Sequence, residues 1–221
     1  MNHIAFIEVD MQRGFMPISE GERLGRQGFG ELGVDGGDTL VDPSNRFLGW
    51  AALHGMEIVT TQDWHPYETA HFAPEDEAPN FCTNWPRHCV DGTPGAELHP
   101  DLKIPPIATR FIKGTEVLER GEDDLSYSGY YAEDPTTGLH LPEWLQRRKV
   151  TEIVVGRLAL DYCVGSTAYD FRTKASLDVT LLTDLTKPVA SETGIAMLTK
   201  LEAVGVHMMT SEQYMQRTEA A

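Results

Sequence analysis

The sequence predicts an α/β fold of three layers, a mostly parallel six-stranded sheet with helices on both faces, Rossmann-like in plan. Three observations predict it. Short apolar, β-branched runs recur along the chain. Amphipathic helical stretches separate them, which is the rhythm of βαβ units. The 221 residues carry 41% hydrophobic and 24% charged side chains, an ordinary balance for a single soluble domain, placed here at residues 1–221.

The strands follow in order. Residues 4–9 (IAFIEV), 56–61 (MEIVTT), 108–112 (ATRFI), 152–155 (EIVV) and 178–182 (DVTLL) are five of them, and 205–209 (GVHMM) is a less clearly patterned sixth. The first helix, 42–55, has Asp42 as a cap, Pro43 for its first turn and Gly55 as a stop. The next, 141–149, sets Leu141, Trp144 and Leu145 on one face and basic residues in its last turn. A third, 164–174, follows Cys163, and a fourth, 191–205, opens on a capping Ser191 and ends at Gly205. Two long connections break the rhythm: 17–37, rich in Gly, and 66–106, rich in Pro, His and aromatics. Connections of that length are uncommon in compact domains and are often functional.

Charge and cysteine usage exclude several classes. A net charge of −16 argues against nucleic acid and anionic membrane surfaces, which are bound through basic patches, and favours solubility. No export-type leader opens the sequence, and no apolar run approaches the ~20 residues of a membrane helix. Three cysteines, Cys82, Cys89 and Cys163, are an odd and sparse set, expected as free thiols in a reducing, cytoplasmic compartment. No coiled coil or exposed apolar helix indicates a partner chain, and the oligomeric state is left open.

Ligands of an open parallel sheet sit beyond the carboxyl ends of its strands. There the first strand delivers Asp10, the second Asp63 and His65, the third Lys113, the fourth Cys163 and the fifth Asp184. Any one of these alone is more often structural: a turn aspartate, a solvated lysine, a small buried thiol. Their coincidence at one edge is the signal. Cys163 lies between a strand and a helix start, where the dipole and free N–H groups favour a thiolate and can hold an oxyanion. Asp10 can accept its proton and Lys113 can hold the resulting charge. Cys82 and Cys89 have no such context and read as structural.

The stretch DWHPYETAH suggests a metal. In extended backbone Asp63 and His65 point the same way, and His71 can return from the loop. Imidazole and carboxylate suit one divalent ion, zinc first, with iron or manganese as alternatives. Three protein ligands leave positions open, as in catalytic sites, and His88 in WPRHCV is a further candidate ligand.

With these residues in view, the chain resembles the nicotinamidase (pyrazinamidase) branch of the isochorismatase-like cysteine hydrolases. The resemblance spans nearly the whole chain. It rests on DMQRGF (10–15), TQDWHPYETAH (61–71), WPRHCVDGTPGAELHPDL (85–102), FIKGTE (111–116), YSG (127–129) and LALDYCVGSTAYD (158–170). It implies that Cys163 attacks a carboxamide carbon, that Asp10 moves the proton, and that Lys113 stabilises the charged pair. It implies a metal on Asp63, His65 and His71, joined by His88 in some relatives, that orients a pyridine ring. It places Phe15, Trp85, Tyr127 and Tyr162 in the ring pocket and the N–H groups of Ala159 and Cys163 in the oxyanion hole, with a cis peptide before Ala159. The implied substrate is a small amide, nicotinamide, with pyrazinamide beside it, and the implied pathway is NAD salvage. The competing expectations are an amidohydrolase of the same superfamily acting on another small amide or carbamoyl compound, and a non-catalytic metal-binding domain that keeps the fold.

Three departures from the resemblance stand out. Arg157 intervenes in GRLALDYC, where it either shifts the cysteine loop or ends the strand one residue later. Glu8 puts a charge in a strand where relatives are apolar. The 17–37 loop is unusually glycine-rich, which bears on how the pocket closes.

Overall fold

Side-chain alternation on the first strand sets the layers. The computed structural model describes residues 3–119 and 124–219. In it, β1 (Ile4–Val9) sends Ala5, Ile7 and Val9 to one face and Phe6 to the other, all fully buried. β2 (Glu57–Asp63), β3 (Thr109–Lys113), β4 (Glu152–Leu158), β5 (Asp178–Lys187) and β6 (His207–Met209) join it in one sheet of order β3-β2-β1-β4-β5-β6. Every pairing is parallel. Strands covered on both faces carry continuous apolar runs, as in Ile153-Val154-Val155.

Among the described residues six α-helices flank the sheet or its loops: α1 (Ile18–Leu24), α2 (Val41–Leu53), α3 (Leu141–Arg147), α4 (Gly165–Lys174), α5 (Ser191–Ala203) and α6 (Ser211–Glu219). Trp144 of α3, Phe171 of α4 and Leu201 of α5 pack on the face of Ile7, Val155 and Leu181. Phe47 and Leu48 of α2 and Tyr214 of α6 pack on the face of Phe6, Ile58 and Val154. The chain winds outward from β1 through β2 to β3, then returns to β4 on the other side of β1. The order therefore reverses between β1 and β4, and the crevice at that switch point is where this architecture binds ligands.

Several elements differ from the sequence expectation. The 17–37 segment is not all loop, because it contains α1. Asp42 lies in the first turn of α2 rather than capping it, because a 3-10 turn at Asp38–Leu40 runs straight into the helix. Ser191 is the first residue of α5, and no local side chain caps that helix. Instead Asp161, from another element, accepts from the N–H groups of Val189 (2.8 Å) and Ala190 (3.1 Å) and from the Thr193 hydroxyl (2.5 Å). β4 runs three residues past its apolar core, to Leu158. Asp184 stays within β5 and accepts from the N–H and hydroxyl of Ser211 at the start of α6, so it plays no part at the ligand edge.

A third apolar cluster lies beyond the sheet. Met11, Phe15, Met16, Phe29, Val34, Cys89 and Ala96 pack with Leu158 and Ala159 at the carboxyl edge. The two long connections thus share a core of their own.

Phe47 tests the face opposite the candidate site. It is 1% exposed and meets Phe6 edge-on at 4.8 Å. Phe47→Ala is expected to lower unfolding free energy by about 3–5 kcal/mol in denaturant titration. The specific activity of the folded fraction should stay unchanged.

Candidate active site

Register brings the polar residues together. Val9 pairs with Thr61 on one side and Arg157 on the other, and Asp63 pairs with Lys113. The chain turns at Asp10 with φ 50, and its N–H reaches the Thr61 carbonyl at 3.1 Å. The Thr61 hydroxyl donates to Asp10 Oδ1 at 2.7 Å. Lys113 then reaches three groups. Its Nζ lies 2.9 Å from Asp10 Oδ2 and 3.3 Å from Cys163 Sγ, and it also pairs with Asp63 Oδ1. All four side chains are buried.

Cys163 sits in a π-helical turn, Leu160–Val164, that feeds directly into α4. Such turns occur frequently at functional sites. The Leu158–Ala159 peptide is cis, as the resemblance implies, and the Ala159 carbonyl accepts from the N–H groups of Tyr162 and Val164.

Burial dominates the electrostatics of this cluster. Burial pushes the Cys163 thiol well above its usual range, and the Asp63 and Asp10 carboxylates push the same way against the pull of Lys113. A thiol in such surroundings needs a proton acceptor, and Asp10 is placed beside it. Burial also raises Asp10, with Lys113 opposing and Asp63 adding to the rise, which makes it a stronger base than an ordinary aspartate. Lys113 loses by burial but gains more from Asp10, Asp63 and Cys163, so it stays an ammonium.

Three imidazoles stand beside this cluster. His65, His71 and His88 are buried, and each can offer a nitrogen within 4.8 Å of the others. Their Nδ1 atoms are engaged: His65 with the Gly114 carbonyl (3.1 Å), His71 with Asp124 (2.5 Å) and His88 with the Pro86 carbonyl (2.7 Å). The Nε2 atoms of His65 and His71 are buried without a hydrogen-bond partner. A ring held through Nδ1–H turns the Nε2 lone pair toward a metal, the usual support of a ligating histidine. Burial, and then the neighbouring imidazoles, lower His88 to about 3; burial lowers His71 as well, with Asp124 opposing. Neutral imidazole is the form that binds metal. The donor set therefore fits a divalent ion. Asp63 stands between the two clusters, with one oxygen on Lys113 and the other 3.6 Å from His65 Nε2. Lys113 and His65 hold its carboxyl well below the usual range despite burial.

Phe15, Trp85, Tyr127 and Tyr162 line a small cavity together with Asp63, His71, His88, Ala159 and Cys163. Trp85 Nε1 donates to the Tyr127 hydroxyl at 2.7 Å, and the Trp85 ring meets Tyr162 edge-on at 4.8 Å. Apart from Asp184, the residues expected at the site thus converge. A larger cleft of about 980 Å³ opens on the outer side of His71 but does not reach Cys163.

The sequence reading missed several contributors. Leu32, Val34 and Val189 complete the cavity wall. Asp124 orients His71, and Glu31 accepts from the Cys89 N–H at 2.9 Å, tying one long connection to the other. None lies at a strand end, so only the fold could place them. Gly114 is also fixed by the site. It has φ 67, and a Cβ there would lie 2.5 Å from His65 Cε1.

Comparison with known proteins agrees with this geometry. The nicotinamidase/pyrazinamidase of Mycobacterium tuberculosis is 34% identical over 207 residues, covering 94% of this chain and 98% of that protein. The structure of the pyrazinamidase of Pyrococcus horikoshii in complex with zinc superposes with a TM-score of 0.75 at 31% identity, covering 94% of this chain and 99% of that one. The PnC1 protein of L. infantum in complex with nicotinate gives a TM-score of 0.70 at 30% identity, covering 96% and 94%. The family model described as the isochorismatase domain matches residues 4–213, and the chain belongs to that family.

Proposed function

We propose that this protein is a nicotinamide amidohydrolase, releasing nicotinate and ammonia through a thioester on Cys163, and that pyrazinamide is a second substrate. The observation that carries this reading is the Lys113 ammonium in contact with Asp10, Cys163 and Asp63, the last two of which line an aromatic cavity. Its relatives named nicotinamidase and the nicotinate-bound structure support the choice of amide.

Each step follows from the groups in place. An unactivated amide needs a strong nucleophile, a site for the developing oxyanion and a proton for the leaving nitrogen. Asp10 takes the thiol proton as Sγ bonds to the carboxamide carbon. The oxyanion is held by the N–H groups of Ala159 and Cys163. Asp10 returns the proton to nitrogen, the C–N bond breaks and ammonia leaves. Water then adds to the thioester with Asp10 again as base, and the C–S bond breaks to give nicotinate and the thiol. Lys113 keeps the two carboxylates and the transient thiolate compatible in one buried space. Phe15, Trp85, Tyr127 and Tyr162 hold the ring. His65, His71 and His88, with Asp63 alongside, would hold a divalent metal, zinc first, which supplies a Lewis acid for the ring nitrogen.

Ammonia release from nicotinamide tests the whole reading. Cys163→Ala should lower the rate by a factor on the order of 10⁴ or more while the protein stays folded. Absence of release from folded, zinc-supplemented wild type would exclude nicotinamide as the substrate. Dialysis against a chelator should cut activity, and added zinc should restore it; full activity in metal-free protein, verified by elemental analysis, would rule the metal out. Trp85→Ala should raise KM roughly tenfold or more with a smaller change in kcat, because it removes a ring wall and not a reacting group.

A further inference from the structure

Glu8 and Arg157 are the two charged departures noted in the sequence, and neither has a part in the chemistry above. The fold brings them together. Glu8 Oε2 lies 3.0 Å from Arg157 Nε, and both side chains are 0% exposed. The guanidinium also lies over the Phe6 ring, 4.9 Å from its centroid. Beyond the ion pair, the Glu8 oxygens and the Arg157 nitrogens have no well-aligned hydrogen-bond partner among the described residues. Burial raises the Glu8 carboxyl, with Arg157 opposing. A buried pair with so few hydrogen bonds is weak evidence for stability, because desolvation offsets most of the attraction. Its position is more informative.

Glu8 precedes Asp10 by two residues on β1, and Arg157 precedes Ala159 by two residues on β4. These strands flank the switch-point crevice. The β4–β5 register shifts between Val155 and Arg157, and Arg157 has φ 102. In a regular strand Arg157 would share the face of Val155. Its positive φ turns it to the opposite face, toward Phe6 and Glu8, while the additional residues at the β4–β5 register shift lie on β5 between Leu181 and Thr186. The Arg157 carbonyl meanwhile accepts from the Thr186 hydroxyl at 2.6 Å. Arg157 is thus gripped by β1 through its side chain and by β5 through its backbone.

We propose that the Glu8–Arg157 pair is a positioning element, which holds the positive-φ kink of β4 at Arg157 and so sets the Ala159 N–H against Asp10 and Cys163. Glu8 and Arg157 touch no reacting atom in this role. The proposal rests on the amidohydrolase reading, in which the Ala159 N–H receives the oxyanion. Loosening that kink should therefore weaken the transition state more than the bound amide.

The test compares Glu8→Gln, Arg157→Lys and the double variant Glu8→Leu/Arg157→Met with wild type. The double variant removes both charges at similar volume, so it leaves no unpaired ion to unfold the protein. Four quantities are measured: Tm, kcat and KM for nicotinamide, affinity for nicotinate, and affinity for the aldehyde analogue of nicotinamide. The Cys163 thiol adds to that aldehyde, with C–S bond formation and the thiol proton passing to oxygen, so its affinity reads the oxyanion site; nicotinate reads the ring pocket. The double variant is expected to lose tenfold or more in kcat and a similar factor in aldehyde affinity, with KM and nicotinate affinity within twofold. Arg157→Lys should recover part of the loss. A folded double variant with wild-type kcat and aldehyde affinity would overturn the proposal, whatever its Tm. Amide hydrogen exchange at residue 159 needs no substrate and separates this proposal from the functional one. Faster exchange in the double variant supports the positioning role even if nicotinamide is not hydrolysed, and unchanged exchange overturns it.

Discussion

A buried ammonium must be surrounded by negative charge, and Lys113 meets that requirement with groups from three other parts of the chain. Asp10 follows β1, Asp63 ends β2 and Cys163 follows β4. Removing one partner of such a cluster leaves an uncompensated buried charge, at a cost of about 3–5 kcal/mol. The cluster therefore works as a joint. It fixes the relative height of three strand ends, and it allows two carboxylates and a thiol to share a space from which water is largely excluded. The perturbed acidities follow from this arrangement. Burial lifts Asp10 and Cys163 together, so that proton transfer between them stays within reach.

Much of this was legible in the sequence. Apolar runs such as Ile153-Val154-Val155 announce strands buried on both faces, and parallel topology then dictates where their ends point. Asp10, Lys113 and Cys163 could be assembled from that rule alone, because each follows or ends a strand. His65 and His71 were legible through their spacing after β2, whereas His88 was only a further candidate from WPRHCV. The extent of β4 was not, since Gly156 looks like a strand terminator and the pairings that carry the strand further, Glu8 with Gly156 and Val9 with Arg157, join residues far apart in sequence. The surroundings that oppose ionisation of Cys163 were not legible either. A helix start is a local feature, whereas desolvation and the two carboxylates depend on the assembled core.

The long connections were the least legible part, because their order comes from tertiary contacts rather than from periodicity. α1 lies in a segment dominated by glycine, and Asp124 finds His71 across 53 positions. Glu31 and Cys89 meet through a side chain and a backbone N–H, a pairing that neither residue type signals in advance. Sequence patterns of period 2 or 3.6 report which face of an element is buried. They carry no information about irregular segments that bury their side chains against one another.

The separate core beneath those connections divides the site between two packing units. Cys163 belongs with the sheet and its helices, whereas Phe15 and Val34 belong with the loop cluster. Regions with their own contacts can open below the free energy of global unfolding. The walls of the cavity can therefore part from its floor without melting the sheet. A molecule lodged between them touches both units, so its affinity acts as a clasp on the smaller one. Amide exchange in the loops should thus register occupancy that exchange in β1 does not.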